Sequence, residues 1–232
     1  MEPVRLLRAA GHDPTIAYMN SNIAPADEYA HRLSTLRAWA AGEQLNVLEG
    51  AYDPAAWEAC AGRVGEAAND PARRKARCRA CYRLRFEEAA ALAAEQGFDA
   101  LGTTLSVSPY QYTDVIREEL ERAAAAAGVQ PLFEDYRPFY DEATHRSREM
   151  GMYRQNYCGC RFSDAEAAAE RAERKAQRAA QREAEAAAHA EERAAAEAAR
   201  AAKKAERAAY DAKQARKRAV LKALREQERD GK

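Results

Sequence analysis

Residues 97–136 read GFDALGTTLSVSPYQYTDVIREELERAAAAAGVQPLFEDY, and this stretch decides the fold class. The segment FDALGTTLSVSP predicts a strand whose end is rich in Thr and Ser, and VQPLFEDY predicts the next strand. Between them, TDVIREELERAAAAAG predicts a helix that Thr113 caps and Gly128 closes. A strand, a helix and a second strand in close succession predict a right-handed βαβ unit, and therefore a parallel sheet.

The same alternation extends toward the N-terminus. Residues 2–10 predict the end of a helix stopped by Gly11, and they are followed by the strand TIAYMN, the turn NSNIAP and the amphipathic helix PADEYAHRLSTLRAWAAGEQ. The series continues with the strand LNVLEGAY and a short helix capped by Asp53. A polar loop and the helix CRACYRLRFEEAAALAAEQG follow. We therefore expect an α/β domain whose functional loops lie at the carboxyl ends of parallel strands. Because the pattern opens on a helix, we also expect a strand ahead of Glu2 to be missing.

The composition changes at about residue 163, which divides the chain into two predicted parts. Residues 1–163 hold both Trp and all eight Pro, a composition typical of one globular domain. Residues 164–232 contain 27 Ala and no Gly or Pro before Gly231. This tail predicts a continuous helix of about 100 Å or a disordered segment. Weak coiled-coil pairing and a nucleic-acid arm are alternatives, the latter because residues 200–232 carry 12 basic and 5 acidic side chains.

Charge and hydropathy exclude several classes of protein. The 37 Lys and Arg balance the 37 Asp and Glu, so the net charge indicates neither a nucleic acid nor a membrane as partner. No stretch reaches the roughly 18 apolar residues of a membrane span, and the N-terminus lacks the apolar core of a signal peptide. We therefore expect a cytoplasmic protein. Five cysteines in a reducing compartment favour metal or redox chemistry over structural disulfides.

Four of the five cysteines form two close pairs, which we expect in the loops that build the site. Cys78 and Cys81 have the C-x2-C spacing that lets two thiolates meet one metal or cluster. Cys158 and Cys160 flank a single Gly, which permits a strained, easily reduced disulfide. The fifth, Cys60, is expected to pack in a core. No ligand spacing is shared by the histidines, which are His12, His31, His145 and His189.

Four motifs, taken together, carry a family resemblance. YMNSNIAPADEY, ARCRACYRLRF, GTTLSVSP and YRQNYCGCRFS occur in an order and spacing that resemble the QueH family of epoxyqueuosine reductases over about residues 1–163. The resemblance implies a Rossmann-like parallel sheet of the adenine-nucleotide-hydrolase type and a [4Fe-4S] cluster. It also implies reduction of epoxyqueuosine to queuosine at the wobble position of tRNA.

The resemblance assigns roles to both cysteine pairs. It implies that Cys78 and Cys81 are cluster ligands and that Cys158 and Cys160 are a redox-active pair. The family pattern also has an adjacent Cys-Cys just before the segment that matches Met1–Arg8, and this chain lacks it. We therefore expect a start codon placed too far downstream, and only half of the cluster site in the chain as written. No G-x-G-x-x-G follows a strand, so we expect an external electron donor.

Further polar residues are candidates for contact with substrate. Asn20, Asn22 and Ser108 lie at predicted strand ends, and Asp27 and Glu28 at a helix start are candidate proton donors. Tyr157 is a candidate for stacking on an unpaired base. Arginines flank both cysteine pairs. They are either ordinary solvent-exposed charges on helices or contacts for tRNA phosphates. The six are Arg77, Arg79, Arg83, Arg85, Arg154 and Arg161.

Two other functions fit the cysteines. One is a zinc-binding scaffold or RNA-binding module in which all four paired cysteines make one closed site without redox activity. The other is a thiol-disulfide oxidoreductase without a metal, which the Cys158–Cys160 pair permits. The second leaves Cys78 and Cys81 without a role.

Overall fold

The computed structural model describes residues 1–65 and 70–230, with side chains described as far as Lys222. Residues 66–69 of the polar loop expected before Cys78, and residues 231–232 of the tail, lie outside the described residues. The chain divides into two compact units, Met1–Ala168 and Ala169–Lys232. The first unit alternates helices and strands, which confirms the α/β class expected from the sequence.

The first half of unit 1 contains three helices and two strands among its described residues. In chain order they are α1 Glu2–Ala9, β1 Ile16–Tyr18, α2 Ala26–Gly42, β2 Val47–Glu49 and α3 Pro54–Trp57. Asp53 caps α3 as expected, since its Oδ1 accepts a hydrogen bond of 2.9 Å from the Ala56 N–H. A π-helical turn, Glu58–Gly62, and a 3₁₀ turn, Arg63–Gly65, continue α3.

The second half begins with the longest helix of the α/β region. The elements are α4 Pro71–Glu95, β3 Ala100–Gly102, α5 Thr113–Ala127, β4 Gln130–Leu132, α6 Tyr140–Glu149 and α7 Ser163–Asp230. Gly128 ends α5 with φ of +71°, a conformation that glycine adopts without strain. The expected cap at Thr113 is wrong, because Thr113 is the first helical residue and Tyr112 precedes it.

The strands form two separate parallel pairs. β1 pairs with β2 in a register that aligns Ile16 with Val47, and β3 pairs with β4 with Ala100 opposite Gln130. Each pair is joined through a helix, α2 or α5, as a βαβ unit requires. The described residues thus form two two-stranded sheets instead of one continuous sheet.

The main core lies between α4, α5 and the strand β3. Val115, Ile116 and Leu120 of α5 are fully buried, and they pack with Tyr82 and Phe86 of α4. A buried carboxylate fixes the same two helices together. Glu119 of α5 accepts hydrogen bonds of 2.9 to 3.0 Å from Arg79 and Arg83 of α4 and from Arg122.

The tail forms one long helix in this structure. α7 runs unbroken from Ser163 to Asp230, and the described side chains of unit 2 are almost all exposed. Tyr210, Val220 and Leu221 are its large exposed apolar side chains. No helix in the described part of the chain combines the length and apolar character needed to cross a membrane.

Candidate active site

The first cysteine pair lies inside a helix. The helix expected from Cys78 onward is present as α4, but it begins seven residues before Cys78, so the pair lies inside the helix and not in the loop before it as expected. The reason is local, because Asp70 caps the helix by accepting a 2.9 Å hydrogen bond from the Ala72 N–H, with Pro71 at the first turn. A spacing of three residues places both thiols on one face of α4.

The second pair lies in the loop between α6 and α7, where hydrogen bonds to Ala24 and Ser163 fix its backbone. Gly159 has φ of +119°, and its carbonyl accepts a 2.9 Å hydrogen bond from the Ala24 N–H in the loop after β1. Ser163 accepts from the Gly159 N–H at 3.0 Å and donates to the Cys160 carbonyl at 2.7 Å. The Cys-Gly-Cys segment is therefore held at the carboxyl end of β1.

Arg32 is a site residue that the sequence did not reveal. Its guanidinium is buried in α2 and donates hydrogen bonds of 2.9 Å to the Cys158 carbonyl and 3.4 Å to the Tyr157 carbonyl. It also donates at 2.7 Å to Glu28 and lies 4.9 Å from the centre of the Tyr157 ring. The i,i+4 spacing from Glu28 was the available signal, but such a pair is common on exposed helix surfaces.

The fold brings the two cysteine pairs together. Cys81 of α4 and Cys160 of the loop share one buried cluster with Trp57 and Ala61. Cys78 lies within electrostatic reach of both Cys81 and Cys160. Every cysteine of the chain is a free thiol in this structure. The two pairs, 82 residues apart at their outer members, thus form a single group of four thiols, hereafter the thiol group.

One cysteine of the thiol group has a lowered pKa, and the other three have raised pKa values. Burial raises the pKa of Cys78 to about 12 and also raises that of Cys81. A hydrogen bond between Cys158 and Cys160 raises the pKa of Cys158 and lowers that of Cys160 to about 6, because the Cys158 S–H donates to the Cys160 thiolate. Cys160 is therefore the more acidic thiol of the pair, and Cys158 is its hydrogen-bond donor.

Among residues 1–65 and 70–222, no three His, Cys, Asp or Glu side chains are placed so that they could hold one metal ion. The closed four-cysteine zinc site of the scaffold hypothesis therefore receives no support from the arrangement. Cys60, expected to be packed, is exposed instead, with its Sγ 3.5 Å from the Trp57 carbonyl. It lies in the π-helical turn Glu58–Gly62 that continues α3.

Most of the flanking arginines are engaged inside the protein. Arg77 is buried and donates to both carboxylate oxygens of Glu166 at 2.7 and 2.8 Å. Arg85 donates at 2.5 Å to the Met19 carbonyl and at 2.6 Å to Asn20. The Arg161 side chain pairs with Glu58 at 2.7 Å. Together with the Arg79 and Arg83 contacts to Glu119, these bonds assign structural roles to five of the six arginines.

The candidate substrate residues differ in whether their polar side-chain atoms already have hydrogen-bond partners in the protein. Asn20 is bound to Arg85, and Ser108 accepts a 3.3 Å hydrogen bond from the Tyr110 N–H. Asn22 is 2% exposed, and its Oδ1 has no hydrogen-bond partner within the described residues. Asn22 lies two residues before Ala24, whose N–H donates to the Gly159 carbonyl. Arg154 is exposed on the segment before Cys158.

Glu28 does not suit the role of proton donor. Burial alone would raise its pKa, but hydrogen bonds from Arg32 and Tyr153 outweigh burial and lower it. A carboxyl held ionised in this way retains no proton to donate at neutral pH. Glu28 instead supports Arg32, and through it the backbone of Tyr157 and Cys158.

Unit 1 is thus an α/β domain with two free thiols held at the end of a strand, an arrangement that is compatible with redox chemistry. The family model of epoxyqueuosine reductase QueH matches residues 1–166. The chain belongs to this family, which is a family of oxidoreductases. The match covers unit 1 almost completely and ends at the start of α7.

Curated relatives give the same result. The chain is 30% identical over 158 residues to an epoxyqueuosine reductase QueH of Dehalococcoides mccartyi, covering 67% of this chain and 81% of the relative. It is 31% identical over 153 residues to an epoxyqueuosine reductase QueH of Thermotoga maritima, covering 65% and 79%. A relative of the same name from Acinetobacter baylyi is 29% identical over 166 residues, or 70% and 74%.

Proposed function

We propose that this chain reduces the epoxide of epoxyqueuosine to the alkene of queuosine in tRNA, and acts in the cytoplasm where tRNA is modified. The observation that carries the proposal is the Cys158–Cys160 pair, a thiol hydrogen-bonded to a thiolate beside a strand end in a member of this family. Removing the epoxide oxygen requires two electrons and two protons and releases one water. As the Cys158–Cys160 pair closes to a disulfide it supplies both electrons and the Cys158 proton, and the second proton comes from solvent.

In this proposal Cys158 and Cys160 are the redox-active pair. Their oxidation forms one S–S bond, and an external electron donor must reopen it before the next turnover. Arg32 and Ser163 fix the backbone on both sides of Gly159, so the two sulfurs remain close in the dithiol form. The lowered pKa of Cys160 favours the thiolate, which is the reactive form of cysteine.

A [4Fe-4S] cluster is the cofactor that the family resemblance implies. Cys78 and Cys81 suit two of its ligand positions, because both are thiols on one buried face of α4. Among the described residues, no third side chain is placed so that it could bind the same metal ion as these two. A bound cluster would supply electrons one at a time. Arg77 and Arg85 contribute positive charge beside the two sulfurs, which favours their thiolate forms.

The proposed substrate side of the site lies around Asn22 and Tyr157. The Asn22 Oδ1 can accept a hydrogen bond from a substrate hydroxyl, because no described protein group uses it. Tyr157 packs one face of its ring against Arg32, and Arg154 lies three residues away with an exposed guanidinium for a phosphate. Asn20 and Ser108 shape the neighbouring loops through their bonds to Arg85 and to the Tyr110 N–H.

The test is turnover of tRNA that carries epoxyqueuosine, with iron-reconstituted protein under anaerobic conditions and a chemical reductant. We expect queuosine in the digested tRNA with the unmodified protein and a loss of at least ~100-fold with Cys158→Ser or Cys160→Ser. Cys60→Ser is the matched control, because this exposed cysteine lies outside the thiol group. If the unmodified protein forms no queuosine while a curated relative converts the same tRNA in the same buffer, the proposal is wrong.

A further inference from the structure

The second part of α7 carries a concentrated positive charge. Residues 200–222, hereafter the basic segment, contain nine Lys and Arg and only two acidic residues, Glu206 and Asp211. The preceding part of the helix, residues 164–199, contains six Lys and Arg and nine Asp and Glu. The net charges are therefore +7 and −3, although both parts consist mainly of Ala and other strong helix formers.

The cations of the basic segment are exposed and are not neutralised within the helix. Every Lys and Arg of the segment has an exposed side chain. Four of them follow i, i+3, i+4 and i+7 spacing and so share one helix face, namely Arg200, Lys203, Lys204 and Arg207. Within the described part of the chain, none of these four pairs with a carboxylate, whereas Arg174 pairs with Glu170 earlier in α7. Four cations on one face are thus available to an external anion.

The basic segment offers little apolar surface. Its large exposed apolar side chains are Tyr210, Val220 and Leu221, and its other uncharged residues are Ala and one Gln. A helix that lies on a lipid surface buries a face of Trp, Phe or Leu, and a coiled-coil seam repeats Leu, Ile or Val. The segment has neither pattern, so its main interaction is electrostatic attraction. This favours a polyanion over a lipid surface or a second copy of the chain.

Unit 1 does not offer comparable positive charge. Residues 1–168 contain 19 Lys and Arg against 25 Asp and Glu, so the unit is acidic. Residues 73–85 of α4 hold seven Lys and Arg, but each of these side chains is bound to a carboxylate, a carbonyl or an amide of the protein. An acidic surface repels a nucleic acid, whose binding depends largely on contacts between phosphates and Lys or Arg.

We propose that the basic segment of α7 binds the sugar-phosphate backbone of tRNA. The choice of tRNA rests on the proposed function, and the inference adds the part of the chain that holds this substrate. Arg200, Lys203, Lys204 and Arg207 form the centre of the surface. Because Lys and Arg contact phosphates without reading base edges, binding does not depend on the modified nucleoside. It can therefore be measured without turnover.

The experiment measures the Kd of the full chain for an unmodified tRNA transcript between ~50 and ~200 mM salt. Gln keeps a strong helix former at each changed position, and circular dichroism verifies that the helix content is unchanged. The test variant combines Arg200→Gln, Lys203→Gln, Lys204→Gln and Arg207→Gln. The matched control combines Arg171→Gln, Arg174→Gln, Lys175→Gln and Arg178→Gln. The control has the same spacing in α7 and the same change in net charge, but its cations lie among Glu166, Glu170 and Glu173.

We expect the test variant to raise the Kd at least ~10-fold and to reduce the slope of log Kd against log salt by ~2–4, since each lost phosphate contact reduces it by about one. The control should stay within ~3-fold of the unmodified chain, because neighbouring Glu residues already offset its cations. A third variant exchanges Lys for Arg and Arg for Lys at the four test positions. It should also bind within ~3-fold, because the charge is retained.

Equal losses in the test variant and the control would overturn the proposal, because binding would then follow net charge alone. Failure of the unmodified chain to bind the transcript would also overturn it, as would binding to vesicles of phosphatidylcholine and phosphatidylserine in place of tRNA. In turnover of tRNA that carries epoxyqueuosine, the test variant should raise KM and leave kcat unchanged. A chain that binds the transcript but forms no queuosine contradicts only the proposed function, whereas turnover with equal KM in all variants contradicts only this inference.

Discussion

Replacing Gly159 with Ala tests whether the Cys-Gly-Cys backbone is fixed by its neighbours. Gly159 has φ of +119°, and an added Cβ would lie 2.9 Å from Ile23 Cγ1 and 3.0 Å from the Arg32 guanidinium. The backbone conformation costs an alanine about 1–3 kcal/mol. Displacing Arg32 from the Cys158 carbonyl costs a further ~1.5–3 kcal/mol, because a charged hydrogen bond in a buried position is lost.

Gly97→Ala is the matched control for this substitution. Gly97 also has positive φ, at +72°, but an added Cβ would meet no atom within 4 Å. We therefore expect the control to cost about 1 kcal/mol and Gly159→Ala to cost about 3 kcal/mol or more. In thermal unfolding this corresponds to a Tm decrease of roughly 6–12 °C for Gly159→Ala and ~2–4 °C for the control. Equal decreases would show that Arg32 and Ile23 do not constrain the loop.

Three further predictions concern the ion pairs, the thiols and the tail. Glu119→Gln should lower the free energy of unfolding by ~3 kcal/mol or more at pH 7, whereas Glu118→Gln, at an exposed site, should lower it by less than ~1 kcal/mol. The pKa of Glu119 is lowered to about 2. Urea titrations should therefore show this difference in stability above pH ~4.5, and the difference should be lost as the pH falls toward 2. Alkylation of Cys160 should rise with a midpoint near pH 6 and move to higher pH in Cys158→Ala, which removes the hydrogen-bond donor, and an unmoved profile would exclude the hydrogen bond between them. Truncation after Ala168 should leave the Tm of unit 1 within ~2 °C, and a larger decrease would show that unit 2 stabilises it.

The regular elements were predictable from local signals. Strand and helix alternation, the Asp53 cap and the Gly128 stop follow from residue types at fixed spacing, and the structure contains all of them. The predicted start of α4 at Cys78 is seven residues too late, although Asp70 and Pro71 are a standard cap pair, because the polar residues before Cys78 suggested a loop. A metal-binding motif therefore does not by itself define the local backbone, and two cysteines three apart converge equally well from a helix face.

The long-range contacts of the site were not predictable. Arg32 contacts the Cys158 carbonyl across 126 positions, and Glu119 contacts Arg79 across 40. Each residue occurs on an amphipathic helix where a charged side chain ordinarily points to solvent. Burial of a charge depends on partners that the fold supplies, so the local sequence pattern does not predict which charged residues are buried. The same limit applies to Cys60, an exposed residue of the π-helical turn.

α4 links the thiol group to the stability of the domain. Cys78 and Cys81 lie on one face of this helix, while Arg79 and Arg83, four residues apart, lie on another and hold Glu119 of α5. The buried carboxylate fixes the rotation of α4 about its axis, because two arginines one turn apart converge on it. Rotating α4 to move the cysteines would separate these ion pairs and leave Glu119 as an unpaired buried charge. The position of the Cys78–Cys81 face relative to Cys160 is therefore set by charges on the opposite side of the helix.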